Sequence, residues 1–177
     1  ANLAVQCYGG HGYIRENGVE QFVRDARITQ LYEGTNGIQA MDLVGRKLSR
    51  NNGAAPVALF NLLSQWLSAN DKDAKDLAAF IMPVGRGADC LYQATQWLGQ
   101  AGAQNPNDAG AAAADYLRLM GSVMVGWMWA RMARLSLEKL KSNPPNAAFY
   151  ESKIICARYW MERMIPETTM LLERIKA

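Results

Sequence analysis

The sequence is poor in the residues that build metal sites and disulfide frameworks. One histidine, His11, and three cysteines occur among 177 residues. Cys7, Cys90 and Cys156 are odd in number and far apart, which indicates buried thiols in a reducing compartment rather than disulfides or metal ligands. We therefore expect no metal site and a cytoplasmic protein.

Long apolar runs and a strong charge of one sign are also absent from the sequence. The most apolar run, residues 120–130, is much shorter than the ~20 residues that a membrane-spanning helix needs. The net charge is only +3, and basic residues are interleaved with acidic ones, as on the solvated faces of helices. Because 50% of the residues are hydrophobic, we expect a globular chain. The short apolar run and the interleaved charges predict no membrane span and no nucleic-acid partner.

Helix-forming residues dominate the sequence, and apolar residues recur at spacings of three and four positions. Strand signals are almost missing, so the sequence predicts an all-α fold. Glycines end a first helix over residues 2–8, and a short helix covers residues 19–25. A longer helix starts after Asn36 and ends near Leu48. The spacing of Asn36 and Gln39 has the form of a capping box.

A domain boundary is expected at Asn51-Asn52-Gly53, where turn-forming residues break the helical pattern. Residues 1–50 would then be the end of one helical domain. Residues 54–177 would form a second, whose short polar connections predict an up-and-down bundle of four helices.

Proline and asparagine mark the ends of these four helices. Pro83, followed by Gly85 and Gly87, predicts a kink or break in the second helix, and Pro166 predicts another in the last. The expected helices cover residues 56–69, a segment capped by Asp71 or Asp73 that ends near residue 101, a segment from Pro106 to about residue 140, and a last segment that ends at residue 176.

Four short motifs follow one another within residues 6–46, and together they are the most informative part of the chain. A bare Gly-Gly-x-Gly would be a weak signal, but four ordered elements in so short a span are specific. The elements are Gln6 with Gly9-Gly10-His11-Gly12-Tyr13, then Arg24-Asp25-Ala26, then Tyr32-Glu33-Gly34-Thr35, and then Ile38-Gln39.

This segment resembles the carboxyl end of the catalytic core in the FAD-dependent acyl-CoA dehydrogenase family. The resemblance covers about the first 50 residues, and the later helical part looks like the carboxyl-terminal extension of the family's long branch. It implies that the chain is a fragment of a flavoenzyme that converts an acyl-CoA to the 2-enoyl-CoA. Without the rest of that enzyme, we expect the fragment to be inactive.

The resemblance also assigns roles to individual residues. Glu33 would be the base that removes the α-proton, and its backbone N–H would polarise the thioester carbonyl. Beside Tyr32 and a flavin ring, this carboxylate would be desolvated and therefore more basic. Tyr32 and Gly34 would contact the substrate. The residues expected to contact FAD are Gln6, Cys7, Tyr8, Gly9, Gly10, Thr35, Asn36 and Gly37.

Plainer interpretations of these residues remain open. A lone glutamate before a glycine is by default an exposed carboxylate at a helix entry, and a glycine cluster can simply stop a helix. We interpret Arg24 and Asp25 as a structural ion pair that positions the following loop. His11 is also interpreted as structural, because the family motif does not require histidine there.

The expected partners are an acyl-CoA substrate, an electron-transfer flavoprotein and a second copy of the chain, in a homodimer or higher homo-oligomer. Two alternatives compete with this hypothesis. One is an acyl-CoA oxidase, which resembles the same layout and reduces oxygen directly. The other is a non-catalytic interaction or oligomerisation module, since a fold does not by itself prove an activity.

Overall fold

The computed structural model describes residues 1–70 and 74–177, so the cap expected at Asp71 or Asp73 lies outside the described residues. The described part of the chain contains helices and no strand, which confirms the all-α prediction. The helices are α1 (Asn2–Tyr8), α2 (Gly10–Tyr13), α3 (Val19–Ile28), α4 (Asn36–Asp42), α5 (Arg50–Asn70), α6 (Ala74–Gln104), α7 (Pro106–Leu140), α8 (Ala147–Tyr159) and α9 (Glu167–Lys176). Short 3₁₀ or π segments occupy Arg15–Asn17, Leu43–Lys47 and Trp160–Met164.

The chain divides into two compact units, Ala1–Gln39 and Ala40–Ala177. The division into domains at residues 1–50 and 54–177 stays a prediction. The helix break expected at Asn51-Asn52-Gly53 is present, because these residues have φ angles of 51°, 55° and 75° within α5. Asparagine and glycine adopt this left-handed conformation more easily than other residues.

The core of the second unit is organised around α7, which packs against α6, α8 and α9. Helix α6 also contacts α9, and α5 packs against α6. Leu91, Leu119 and Leu171 are fully buried where α6, α7 and α9 meet. Burying one such side chain is worth about 1.5–3 kcal/mol. The finer description as an up-and-down four-helix bundle stays a prediction.

Of the kink or break predicted at Pro83, the break is absent, because helix α6 is continuous through this residue. The kink stays a prediction. The reason for the continuity is packing, since Pro83 is itself buried between the buried residues Ile81 and Val84. Apolar burial along this face offsets the roughly 3 kcal/mol that an internal proline costs a helix. Gly87 serves the same packing, because a Cβ there would lie 3.3 Å from Val123 Cγ2 on α7.

The helix boundaries predicted on either side of α7 and the interruption predicted at Pro166 are present. The Asn105 side chain accepts a hydrogen bond from the Asn107 N–H at 3.1 Å, and Pro106 opens α7 at a position where no N–H is needed. The Pro144-Pro145 turn separates α7 from α8. The π segment that ends at Met164, followed by Pro166, interrupts the last helix before α9 begins.

The cysteines differ from the sequence-based expectation, which was of buried thiols. Cys90 is buried in α6, but Cys7 and Cys156 are exposed. Both lie on helices whose other faces carry the packing contacts, and their spacing in the sequence does not reveal which face that is. Among residues 1–70 and 74–177, no helix combines the length and the apolarity needed to cross a membrane.

One buried polar contact joins α6 to α7. The Thr95 hydroxyl donates to the Leu91 carbonyl at 2.7 Å, so the Tyr116 hydroxyl, also 2.7 Å from Thr95 Oγ1, donates to Thr95. Tyr116 is 1% exposed, and this burial raises the pKa of its hydroxyl. The bond satisfies a hydroxyl that would otherwise be buried without a partner.

Replacing Tyr116 by phenylalanine should therefore lower the free energy of unfolding by about 1 kcal/mol, because it removes one buried hydrogen bond between α6 and α7. Chemical denaturation followed by circular dichroism would measure the change. Tyr92→Phe is the matched control: its hydroxyl, bonded to Gln96 at 2.8 Å, belongs to an exposed side chain, so the effect should be under about 0.5 kcal/mol. Equal effects of the two substitutions would contradict the prediction.

Candidate active site

The glycine cluster ends α1 and turns the chain into α2. Gly9 has φ 58° and ψ −143°, a conformation that suits glycine, and its N–H donates to the Gln6 carbonyl at 3.1 Å. Gly12 is buried against α1: a Cβ there would lie 2.6 Å from the Val5 carbonyl oxygen and 2.9 Å from the Val5 Cα. The plain structural role of these glycines is therefore present.

The residues before this turn are open to a ligand. Residues 6–10, the first of the two groups that the resemblance assigned to FAD, are all exposed. A Cβ added at Gly9 or Gly10 would meet no atom of the described residues within 4 Å. The His11 carbonyl accepts from the Asn17 side-chain amide at 2.6 Å, which fastens the turn to the next segment. The structural and the ligand-binding interpretations of the turn are thus compatible.

The ion pair expected between Arg24 and Asp25 is not formed. Arg24 pairs with Glu20 one turn earlier, at 3.1 Å, and Asp25 accepts from the Gln21 side chain at 2.7 Å. Neighbouring residues on a helix point in different directions, whereas residues four apart lie on the same face. These pairs support α3, which leads to the turn that carries Glu33.

Glu33 has an uncommon backbone conformation. Its φ is 58°, in the left-handed region, and Gly34 follows with φ 103°. A non-glycine residue in this region costs about 1–3 kcal/mol and occurs mainly where the surrounding structure imposes it. The turn before it is fixed by the Tyr32 N–H, which donates to the Ile28 carbonyl at 3.2 Å.

Gln39 holds the other side of this turn. Its side-chain amide donates to the Glu33 carbonyl at 2.7 Å, and its backbone N–H donates to the Thr35 carbonyl at 2.9 Å. The capping box predicted between Asn36 and Gln39 is therefore wrong: α4 begins at Asn36 itself, and the Gln39 side chain reaches back past it to Glu33. Sequence reasoning did not identify Gln39 as a site residue, although the Ile38-Gln39 motif contained it.

The chemically useful groups of Glu33 face outward. Its side chain is exposed, so the described residues do not supply the desolvation expected from the sequence. Among the described residues, no acceptor takes the Glu33 N–H. The adjacent Tyr32 ring is 52% exposed. One surface turn thus exposes a carboxylate, a free N–H and an aromatic ring together.

The flavin contacts predicted near this turn lie at the start of α4. Thr35, Asn36 and Gly37 are exposed there, directly after Gly34. Gly34 is confined, since a Cβ would lie 3.0 Å from Ile38 Cγ2 and 3.1 Å from Gln39 Nε2. The first unit therefore places the Glu33 turn beside one predicted group of flavin residues, while the other group, residues 6–10, belongs to α1 and the turn after it.

Two family models match consecutive parts of the chain. One is described as "Acyl-CoA dehydrogenase, C-terminal domain" and matches residues 1–48; the other is described as "Acetyl-CoA dehydrogenase C-terminal like" and matches residues 59–177. The chain belongs to the acyl-CoA dehydrogenase family. It corresponds to the carboxyl-terminal part of these proteins, which confirms the resemblance drawn from the motifs.

Curated relatives with the same coverage are acyl-CoA dehydrogenases by name. The chain is 36% identical to 3-methylmercaptopropionyl-CoA dehydrogenase of Ruegeria pomeroyi, over 99% of this chain and 30% of that protein. It is 26% identical to a broad-specificity linear acyl-CoA dehydrogenase of Mycobacterium tuberculosis, over 98% and 30%. For a butyryl-CoA dehydrogenase of Syntrophomonas wolfei the identity is 28%, over 98% and 28%. The chain therefore spans under a third of the length of these relatives.

Gly12→Ala should open the α1–α2 turn, because the added Cβ meets the backbone of Val5, which cannot move aside as a side chain can. Overpacking of this kind costs about 1–3 kcal/mol, so amide hydrogen exchange in α1 should become roughly 10 to 100 times faster. Gly10→Ala is the matched control, since a Cβ there has open space and exchange should change little. Similar exchange rates in the two variants would show that the close approach at Gly12 is unimportant.

Proposed function

We propose that the protein containing this chain converts an acyl-CoA thioester to the 2-enoyl-CoA, with Glu33 as the α-proton base. The observation that carries the proposal is the conformation of Glu33, which presents both its carboxylate and its N–H from a left-handed turn. The family membership and the names of the relatives support the reaction class.

Removal of an α-proton needs two groups at once. A base must reach the hydrogen on the α-carbon, and a donor must stabilise the negative charge that develops on the thioester oxygen. The Glu33 carboxylate can take the proton, and the Glu33 N–H can donate to the carbonyl oxygen. Because both groups belong to one residue, the backbone conformation of Glu33 sets the direction of the N–H, and the side-chain rotamer sets the distance from it to the carboxylate.

Tyr32 and Gly34 are proposed to contact the substrate on either side of the base. The exposed Tyr32 ring offers an apolar surface against which an acyl chain can pack. At Gly34, the left-handed φ of 103° and the short distance to Ile38 leave no room for a side chain, so the backbone itself can approach a ligand. Closure of this surface by substrate and by the rest of the enzyme would desolvate Glu33.

We propose that two exposed segments contact a flavin nucleotide. Members of the family are generally FAD-dependent, and residues 6–10 and 35–37 have exposed backbone and polar side chains available to such a group. We propose that Gln6, Thr35 and Asn36 donate or accept hydrogen bonds to it. Bound FAD would supply the acceptor for the β-hydrogen of the substrate.

Three further proposals concern the whole protein. Electrons would leave through an electron-transfer flavoprotein, the enzyme would be a homodimer or higher homo-oligomer, and it would act in the cytoplasm. Apolar side chains that are more than half exposed in the first unit, such as Leu3, Tyr13 and Phe22, support an assembly in which other surfaces cover them. The chain alone, at under a third of its relatives' length, would be inactive.

Glu33→Gln in the full-length protein should slow reduction of bound flavin by an acyl-CoA substrate by on the order of 10²–10⁴-fold, because the amide keeps the shape of the carboxylate but cannot take the proton. Stopped-flow absorbance of the oxidised flavin would measure the rate. Glu16→Gln, in the 3₁₀ turn, makes the same chemical change at an exposed position and should leave the rate unchanged.

Two outcomes would count against this proposal in different ways. If the parent protein binds flavin and no acyl-CoA in a broad panel reduces it, dehydrogenation is the wrong reaction class. If the parent and the Glu33→Gln variant are reduced equally fast, the reaction stands but Glu33 is not its base.

Gln39 is expected to act as a positioning residue for Glu33. Gln39→Ala removes the 2.7 Å bond to the Glu33 carbonyl, and flavin reduction should become roughly tenfold slower because the turn loses one net hydrogen bond of about 1 kcal/mol. Binding of a non-reducible thioester should stay within about twofold, which separates positioning from general damage. Gln21→Ala, which removes a side-chain bond on α3, is the control. An unchanged reduction rate in the Gln39 variant would refute this role.

A further inference from the structure

The outward face of α8 carries large apolar side chains that the second unit leaves uncovered. Ile155 is 69% exposed, Tyr159 59% and Phe149 54%. The opposite side of the helix, by contrast, is packed, with Ala157 fully buried and Ile154 against the core. Large apolar residues concentrated on one helix face mark an interaction surface more often than a solvated one.

Exposed residues on this face of α8 recur at the spacing found where two helices pack along their length. Ala148, Ser152, Ile155 and Tyr159 are separated by four, three and four positions, so they form one continuous stripe along α8. Two pairs of exposed residues, each pair separated by seven positions, flank this stripe. Phe149 and Cys156 lie on one side of it, and Glu151 and Arg158 lie on the other.

This stripe is complementary to itself when two copies of α8 run antiparallel. In that arrangement, Tyr159 of one copy faces Ala148 of the other, and Ile155 faces Ser152, so a large residue always meets a small one. A parallel arrangement would set Tyr159 against Tyr159 and Ala148 against Ala148, which gives crowding at one end and a gap at the other.

The flanking charges fit the same arrangement. Antiparallel pairing brings Glu151 of each copy beside Arg158 of the other, and two-fold symmetry forms this contact twice. The two residues cannot pair within one chain, since seven helical positions separate them by about 10 Å. Neither of them has an ion-pair partner among the described residues.

We propose that α8 is a self-association surface, on which two copies of this chain pack their α8 helices antiparallel. The proposal does not rest on the catalytic role of Glu33, because α8 belongs to the second unit and contributes none of the site residues. A single helix pair buries less than the roughly 1,200 Å² of a standard interface, so the association should be weak and concentration-dependent.

The test is the dissociation constant of the 177-residue chain, measured by sedimentation equilibrium. Glu151→Arg or Arg158→Glu alone replaces two attractions by two repulsions and should weaken dimerisation about tenfold. The double variant Glu151→Arg/Arg158→Glu restores both contacts with reversed polarity and should recover wild-type affinity within about threefold. Glu173→Arg on α9 makes the same charge change on another exposed face and should have no effect.

Cross-linking supplies a second test that also works in a longer protein with other interfaces. In a Cys7→Ser/Cys156→Ser background, which removes both exposed thiols, a chain carrying Ser152→Cys should form a disulfide with a chain carrying Ile155→Cys, and the mixture should cross-link much faster than either variant alone. A wild-type chain that stays monomeric at millimolar concentration, or a double charge variant no tighter than the single ones, would overturn the proposal. Equal cross-linking of the separate variants would also overturn it.

Discussion

Close packing along α7 is the interaction on which the second unit depends. Small residues let neighbouring helices approach: Ala130 and Ala133 are fully buried, and at Gly126 a Cβ would lie 2.6 Å from Ile165 Cδ1. Such close approach maximises dispersion contacts and the apolar area removed from water. The same packing keeps α6 helical through Pro83 and fixes α8 on the surface, so that one face of α8 is buried and the other is presented outward.

The first unit is held together differently. Its geometry is set by local hydrogen bonds and by glycines, and few of its side chains are buried. Ion pairs such as Arg24–Glu20 are exposed and contribute about 0–1 kcal/mol each. The best-defined part of this unit is the turn at Glu33, where the Gln39 side-chain amide donates a hydrogen bond to the Glu33 carbonyl. A segment of this kind holds a few chemical groups in a defined geometry while burying few side chains around them.

The sequence predicted those features that local chemistry determines. The all-α fold follows from the dominance of helix-forming residues. The asparagine cap before α7 and the helix break at residues 51–53 follow from the preferences of asparagine, proline and glycine. The family was also evident from four short motifs. The failures have two causes. The continuity of α6 at Pro83 depends on packing against residues distant in sequence. The partner of Arg24 is set by which residues share a helix face, and the contact of the Gln39 side chain by α4 starting at Asn36 itself, one residue earlier than predicted.

The left-handed backbone at Glu33 affects which residues evolution can favour at this position. At a φ of 58°, glycine would be conformationally easier than glutamate, so folding alone does not favour the residue that is present. Under the role proposed for Glu33, selection for thermal tolerance and selection for turnover would therefore act in opposite directions at this one position. A screen that scores only heat resistance would tend to discard the side chain on which the proposed chemistry depends.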